Sequence, residues 1–152
     1  MKLSFSTRGW PELSWDDMIQ TALDMGFSGI EVYNLSKFPA LTEKDGPFHK
    51  YKTAATVRQM REKHLSIPCL DTSIDLTEDP TDVEQLLQAA HNAHVPYVVV
   101  CALSECEDRV FANLSKLLPR AEALDVSLLI KTSGIYHIRG GKATKEKYAK
   151  LR

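Results

Sequence analysis

The sequence predicts an α/β fold of repeated βα units with parallel strands, and three observations carry that prediction. Apolar runs of strand length alternate with segments of helical period from Leu3 to Lys131. After a long second loop the strand starts recur at roughly thirty-residue steps, the length of one βα unit. The run Tyr97-Val98-Val99-Val100-Cys101 is apolar at successive positions, as a strand covered on both faces must be. Strands that alternate with helices imply parallel pairing and right-handed crossovers.

Each element has its own signal. Residues 3–7, 29–33, 67–71, 97–102 and 127–131 read as five strands. Between the first two, Ser14 and Asp17 form a capping-box pattern, Met18, Ile19, Ala22 and Leu23 line one face, and Gly26 stops the helix. In the loop over 35–52, Pro39, Gly46 and Pro47 argue against regular structure. Val57, Met60, Arg61 and His64 mark a second helix. Asp79-Pro80 supplies the cap and first turn of a third, which carries Val83, Leu86, Leu87 and Ala90. Val110, Phe111, Leu114, Leu117, Leu118, Ala121 and Leu124 form the fourth, with a kink expected at Pro119.

A chain of 152 residues is long enough for one core. Its 43% hydrophobic and 26% charged residues exclude disorder throughout. No apolar run reaches membrane-helix length and residues 1–10 lack a signal-peptide pattern, so a cytoplasmic location with no membrane contact is expected. Cys69, Cys101 and Cys106 are an odd number without a CxxC pair, which reads as reduced structural thiols. The net charge of −1 is asymmetric: from His137 onward six basic residues face only Glu146, giving +5, against −6 for residues 1–136. Residues 1–136 are read as the domain and 137–152 as a basic polar tail, a solvated terminus rather than a nucleic-acid contact.

Whether the sheet curls or stays open is not fixed by these patterns. An eight-stranded barrel takes about 250 residues and an open flavodoxin-like sheet about half that, so length alone favours the open sheet.

In either architecture the functional edge is the carboxyl end of the strands. That edge offers Ser6, Thr7, Arg8, Gly9 and Trp10 after the first strand, Glu31, Tyr33 and Asn34 on the second, Asp71, Ser73 and Asp75 on the third, Ser104 and Glu105 after the fourth, and Lys131, Thr132 and Ser133 after the fifth. A rim pairing aromatic rings with carboxylates and hydroxyls suits a sugar, whose ring has an apolar face and a fringe of hydroxyl groups; polar residues are also what any loop carries. Trp10, Glu31, Tyr33, Asp71 and Lys131 are the candidate substrate-binding residues, and Trp10, Glu31 and Asp71 are expected to converge on one cleft. There is no GxGxxG after the first strand, no GxxxxGK[ST] and no GxSxG around Ser133, so nucleotide binding and acyl transfer have no support. His91 and His94 have a metal-clamp spacing but fall at the C-terminal end of the third helix, away from the functional edge.

Beyond these patterns, the segment LSFSTRGWPELSWDDMIQTALDMGFSGIEVYN resembles the opening of the xylose isomerase-like TIM barrels, the superfamily of sugar phosphate isomerases/epimerases and endonuclease IV. It has a short first strand, a helix ending in A-x-x-x-G-[FY], and G-[IV]-E on the second strand. SIPCLDTSIDL is similar to the third strand of that family and AEALDVSLLIKTSG to its fourth helix and fifth strand. The resemblance spans roughly Leu3 to Tyr136 and implies a partial (β/α)8 TIM barrel of about five strands and four helices, with sugar isomerase/epimerase-like chemistry.

It also implies a divalent metal (Mn, Mg or Zn) held by a Glu at the end of strand five and by Asp, His and Glu from strands six to eight. Here Lys131 stands at the strand-five position, an ammonium that cannot ligate a metal while protonated. After Tyr136 the sequence is polar and basic in place of further strands. The expectation is therefore a truncated relative with no metal bound by this chain, without the metal-dependent proton-transfer site and inactive as it stands. The alternative is a non-catalytic half-barrel module that binds a small polar ligand or a protein partner. A response-regulator receiver is disfavoured because Ser6, Thr7 and Arg8 stand where an acidic pair is needed. Five strands curved for eight would leave two open edges and, if two or three Val, Leu or Phe per strand face inward, an apolar face uncovered, so a homo-oligomer is expected.

Overall fold

The computed structural model describes residues 2–35, 39–44, 46–102 and 107–131. The tail at 137–152, and the loop residues Ser104, Glu105, Thr132 and Ser133, lie outside these. Five strands, β1 (Ser4–Ser6), β2 (Gly29–Tyr33), β3 (Cys69–Asp75), β4 (Tyr97–Cys101) and β5 (Ser127–Lys131), form one sheet in the order β1-β2-β3-β4-β5. Every neighbouring pair is parallel. That order overturns the flavodoxin-like alternative. In such sheets the first strand lies inside, between the second and third, whereas here, among the described residues, β1 is an edge that pairs only with β2. Sequential order is that of a barrel wall.

The connecting helices are α1 (Trp15–Asp24), α3 (Thr53–Glu62), α4 (Thr81–Asn92) and α5 (Glu107–Ala123). A single turn, α2 (Pro39–Thr42), interrupts the loop that the prolines marked as irregular. The Ser14 hydroxyl caps α1 by accepting from the Asp17 amide at 3.2 Å and donating to the Asp17 carboxylate at 2.6 Å. Asp79 accepts from the Thr81 amide at 2.8 Å, and the Thr81 hydroxyl first and then this amide hold its carboxyl below the usual range by bonding the charged form. Val83, Leu86, Leu87 and Ala90 of α4 are all buried, as the period requires.

Some face assignments move. On α1 Trp15 is buried while Leu23 is exposed, and on α5 Leu117 is buried while Leu118 is exposed, since a helix turns about 100° per residue and adjacent leucines cannot share a face. Arg61 and His64 point to solvent, and Thr56 takes the buried position on α3, donating to the Pro47 carbonyl at 2.6 Å. α5 continues through Pro119 to Ala123.

All four long helices stop in the same way. A residue in the left-handed region follows each one: Gly26 (φ 72°), His64 (58°), His94 (55°) and Asp125 (53°). The next residue, always apolar, then donates back to the last turn: Phe27 to Ala22, Leu65 to Met60, Val95 to Ala90 and Val126 to Ala121, at 2.8 to 3.0 Å. This is the Schellman closure, and it delivers an apolar side chain into the core just before the next strand. The A-x-x-x-G-F motif at Ala22–Phe27 is its sequence trace. His94 carries the steric cost of a left-handed β-carbon, so His94→Gly is expected to raise stability by roughly 0.5–1 kcal/mol, read as a higher urea midpoint at unchanged slope.

The core lies between the helices and one face of the sheet. Ile30, Val32, Leu70, Val98 and Val100 point into it and are almost completely buried. Alternation sends their neighbours to the opposite, inward face. Register aligns Ser6, Glu31, Cys69, Tyr97 and Ser127 in one inward layer and Tyr33, Asp71, Val99 and Leu129 in the next. That face is polar along β1 to β3 and apolar only along β4 and β5, which corrects the expectation of two or three Val, Leu or Phe per strand.

Candidate functional site

The carboxyl ends of the strands meet around Asp71. β3 starts at Cys69, later than the apolar run suggested, because Ser66 makes only an isolated bridge to Gly29 and Pro68 has no amide hydrogen to continue the ladder. It also runs on to Asp75, with a register shift against β4 between Asp71 and Asp75. Asn34 holds this irregular stretch. Its backbone, at φ 47°, donates to the Asp71 carbonyl at 2.7 Å, and its side-chain oxygen accepts from the Ser73 amide at 2.9 Å and hydroxyl at 3.1 Å. Buried Thr7 accepts from the Tyr33 amide at 3.0 Å and so ties β1 to the end of β2.

Lys131 pairs in register with Cys101, and Asp71 with Val99. The lysine stem therefore crosses β4 to reach β3, and its ammonium donates to both Asp71 oxygens, at 2.6 and 2.5 Å. The side chains are 30% and 10% exposed, so this pair is largely withdrawn from water. The Tyr33 ring lies beside it, with the Lys131 nitrogen 5.7 Å and the Arg8 guanidinium 5.0 Å from its centroid. Glu31 accepts from the Cys69 thiol at 3.4 Å. Burial first, and then the negative charges of Glu31 and Asp71, push the Cys69 thiol up to about 12, so it stays protonated and inert at neutral pH. Cys101 is raised as well, chiefly by burial.

Glu31, Tyr33, Asp71 and Lys131 are thus brought together. Trp10 is not part of this cluster: its ring stands edge-on to Phe5 at 6.2 Å, and Phe5 belongs to the side of β1 that packs on the core. Arg8 over Tyr33 and Cys69 beside Glu31 were not singled out from sequence. The alternation of β2 and β3 places Cys69 inward, but only the register sets it against Glu31. His91 donates through Nδ1 to the Leu124 carbonyl, 2.8 Å away, and His94 sits beyond the helix, so the two do not form a clamp.

The site does not fit a divalent ion. An ammonium already occupies both oxygens of Asp71, the carboxylate nearest the centre. Among the described residues no group of three His, Cys, Asp or Glu side chains is placed to hold a metal.

No family model matches the sequence, and no curated protein does. Solved structures do match in fold. A xylose isomerase domain-containing protein from Salmonella typhimurium superposes with a TM-score of 0.67 at 16% identity, over 84% of this chain and 47% of that one. A xylose isomerase domain protein from Planctomyces limnophilus gives 0.68 at 8% identity, over 100% and 58%. An L-ribulose 3-epimerase gives 0.61 at 15% identity, over 84% and 48%. The chain therefore has the fold of the N-terminal portion of xylose isomerase-like barrels and spans about half the length of the structures it matches.

Proposed function

We propose that this chain is a sugar isomerase/epimerase-like barrel segment that binds a small carbohydrate or sugar phosphate at its strand ends and has no metal-dependent proton-transfer site. The observation that carries this reading is the Lys131–Asp71 pair beside the Tyr33 ring. A flat ring offers a surface for the apolar face of a sugar. Around it Asp71 and Glu31 present acceptors, and Lys131 and Arg8 present donors, for the hydroxyl fringe. The same pair argues against ion-assisted chemistry, because the ammonium supplies the positive charge that a metal brings to such a site. The likeness to an L-ribulose 3-epimerase and to xylose isomerase domains supports a sugar as the ligand class.

A second reading, a non-catalytic half-barrel module for another small polar ligand or a protein partner, shares the site and differs in the ligand. The test is a nuclear magnetic resonance titration with pentoses, hexoses and their phosphate esters in EDTA. A ketose/aldose interconversion assay is run beside it, with and without Mn, Mg and Zn salts. The expected result is saturable shifts at Tyr33, Asp71 and Lys131 in EDTA, with no turnover under any condition. No shift at Tyr33, Asp71 and Lys131 with any sugar or phosphate ester would favour the second reading, and turnover that appears with a metal would overturn the first.

A further inference from the structure

We infer that the groove between α3 and α4 is a binding site for a medium-chain fatty carboxylate, with the head group at Arg61 and His94 and the alkyl chain lying over a buried floor that reaches Leu70. Two cavities, of about 370 and about 230 Å³, lie between these helices and meet at Ala93, which lines both. Together they fall within the roughly 300–1000 Å³ that small-molecule sites occupy. The groove sits in the middle of the helix layer, away from both edges of the sheet.

The gap has a structural cause. α4 leans on α5, where Arg120 donates to Gln88 at 2.9 Å, and makes no comparable contact with α3. Toward the gap α3 carries Ala54 and α4 carries Ala89, with Ala93 following it, and these short side chains leave it unfilled. The floor is formed by Leu35, Met60, Leu65, Ile67 and Leu70, all almost wholly buried, so the groove is deep. A helix laid across two others rests on their ridges, whereas a flexible chain one carbon wide reaches such a floor.

Charge says which end of the ligand goes where. Among the described residues the only ionisable side chains lining either cavity are Lys50, Arg61 and His94, and none is a carboxylate, although residues 1–136 as a whole carry −6. The smaller cavity brings Arg61 and His94 together from opposite helices, and neither side chain has a hydrogen-bond partner among the described residues. Lys50, at the larger cavity, is engaged by the Tyr51 ring at 4.9 Å. The polar groups of that cavity are engaged too: Thr53 donates to the His49 carbonyl at 3.1 Å, and Gln88, held by Arg120, donates to Asn92 at 3.1 Å. Walls satisfied in this way take an alkyl chain without stranding a donor or acceptor, and the chain gains by leaving water. From Thr53 to Arg61 α3 rises about 12 Å, the length of an extended chain of roughly eight to ten carbons at about 1.3 Å of advance per bond.

The experiment is a nuclear magnetic resonance titration of the full chain with octanoate, below micelle formation, beside octanol, acetate and an acidic amphipathic peptide. Arg61→Gln and Ala54→Phe are the variants; both positions are exposed, and circular dichroism with urea unfolding checks that the variants fold. The expected result is saturable shifts with octanoate at Ala54, Val57, Ala89 and Ala93, lost in Ala54→Phe. Binding of octanol, and of octanoate to Arg61→Gln, is expected to be roughly tenfold weaker, the worth of one charge-assisted hydrogen bond. No saturable shift with octanoate would overturn the proposal, and so would equal affinity for octanol or acetate, a comparison on the unaltered chain that needs no variant. Octanoate binding unchanged in either folded variant would overturn it as well, and saturable binding of the peptide alone would assign the groove to a protein partner instead. Shifts at Tyr33, Asp71 and Lys131 report the strand-end site separately, so the two readings stand or fall independently.

Discussion

Replacing Lys131 with Met is expected to destabilise the fold by roughly 2–3 kcal/mol, below the 3–5 of a fully buried pair because the lysine keeps some access to water. The change strands a carboxylate that is 10% exposed and has both oxygens committed to the lysine. Asp71→Leu combined with Lys131→Met removes both charges and is expected to recover most of the loss, since a buried pair exchanged for apolar side chains is often nearly neutral. Urea unfolding of the two single variants and the double variant measures this as a double-mutant cycle. Additive single effects would mean that the pair does not act as a unit.

Gly29→Ala is expected to cost about 2–3 kcal/mol for one methyl group. An added β-carbon at Gly29 would meet the Ser66 carbonyl oxygen at 2.7 Å, the Ser66 hydroxyl at 3.2 Å and Pro68 Cδ at 3.3 Å. The Ser66 carbonyl also accepts from Ile30, so it cannot withdraw without breaking the bridge that starts the β2–β3 pairing. Gly9 is the control: nothing lies within 4 Å of a β-carbon there, and Gly9→Ala is expected to stay within about 0.5 kcal/mol. Equal thermal shifts for the two variants would remove the steric explanation.

Local physics made the elements readable. The bounds of β2 and β5 fall where the apolar runs do, and the Ser14 cap acts through the bond its side-chain chemistry suggested, whereas α4 is capped at Pro80 without a side-chain bond and Asp79 bonds the Thr81 amide from one residue before it. Gly26 stops α1, but His64, His94 and Asp125 stop the others in the same left-handed geometry without glycine, so that signal was visible once in four. Periodicity alone did not give the strand order, because nothing in a single βα unit says on which side the next strand pairs; the resemblance to a barrel implied the sequential order that is found. The candidate site depends on that order. Glu31, Tyr33, Asp71 and Lys131 were legible as strand-end residues, whereas the reach of Lys131 across β4 to Asp71 required the register of three strands. Trp10 shared the same sequence position at a strand end, but it follows a 3-10 turn, Thr7–Gly9, and its ring packs on Phe5.

The central claim is that the Lys131 ammonium holds the place of a cation at Asp71. Titration of the chain with manganese, followed by electron paramagnetic resonance of the free ion, tests it most directly. The account predicts that the free-ion signal grows in proportion to added manganese, with no stoichiometric loss. A one-to-one loss of signal that Asp71→Asn abolishes would contradict it.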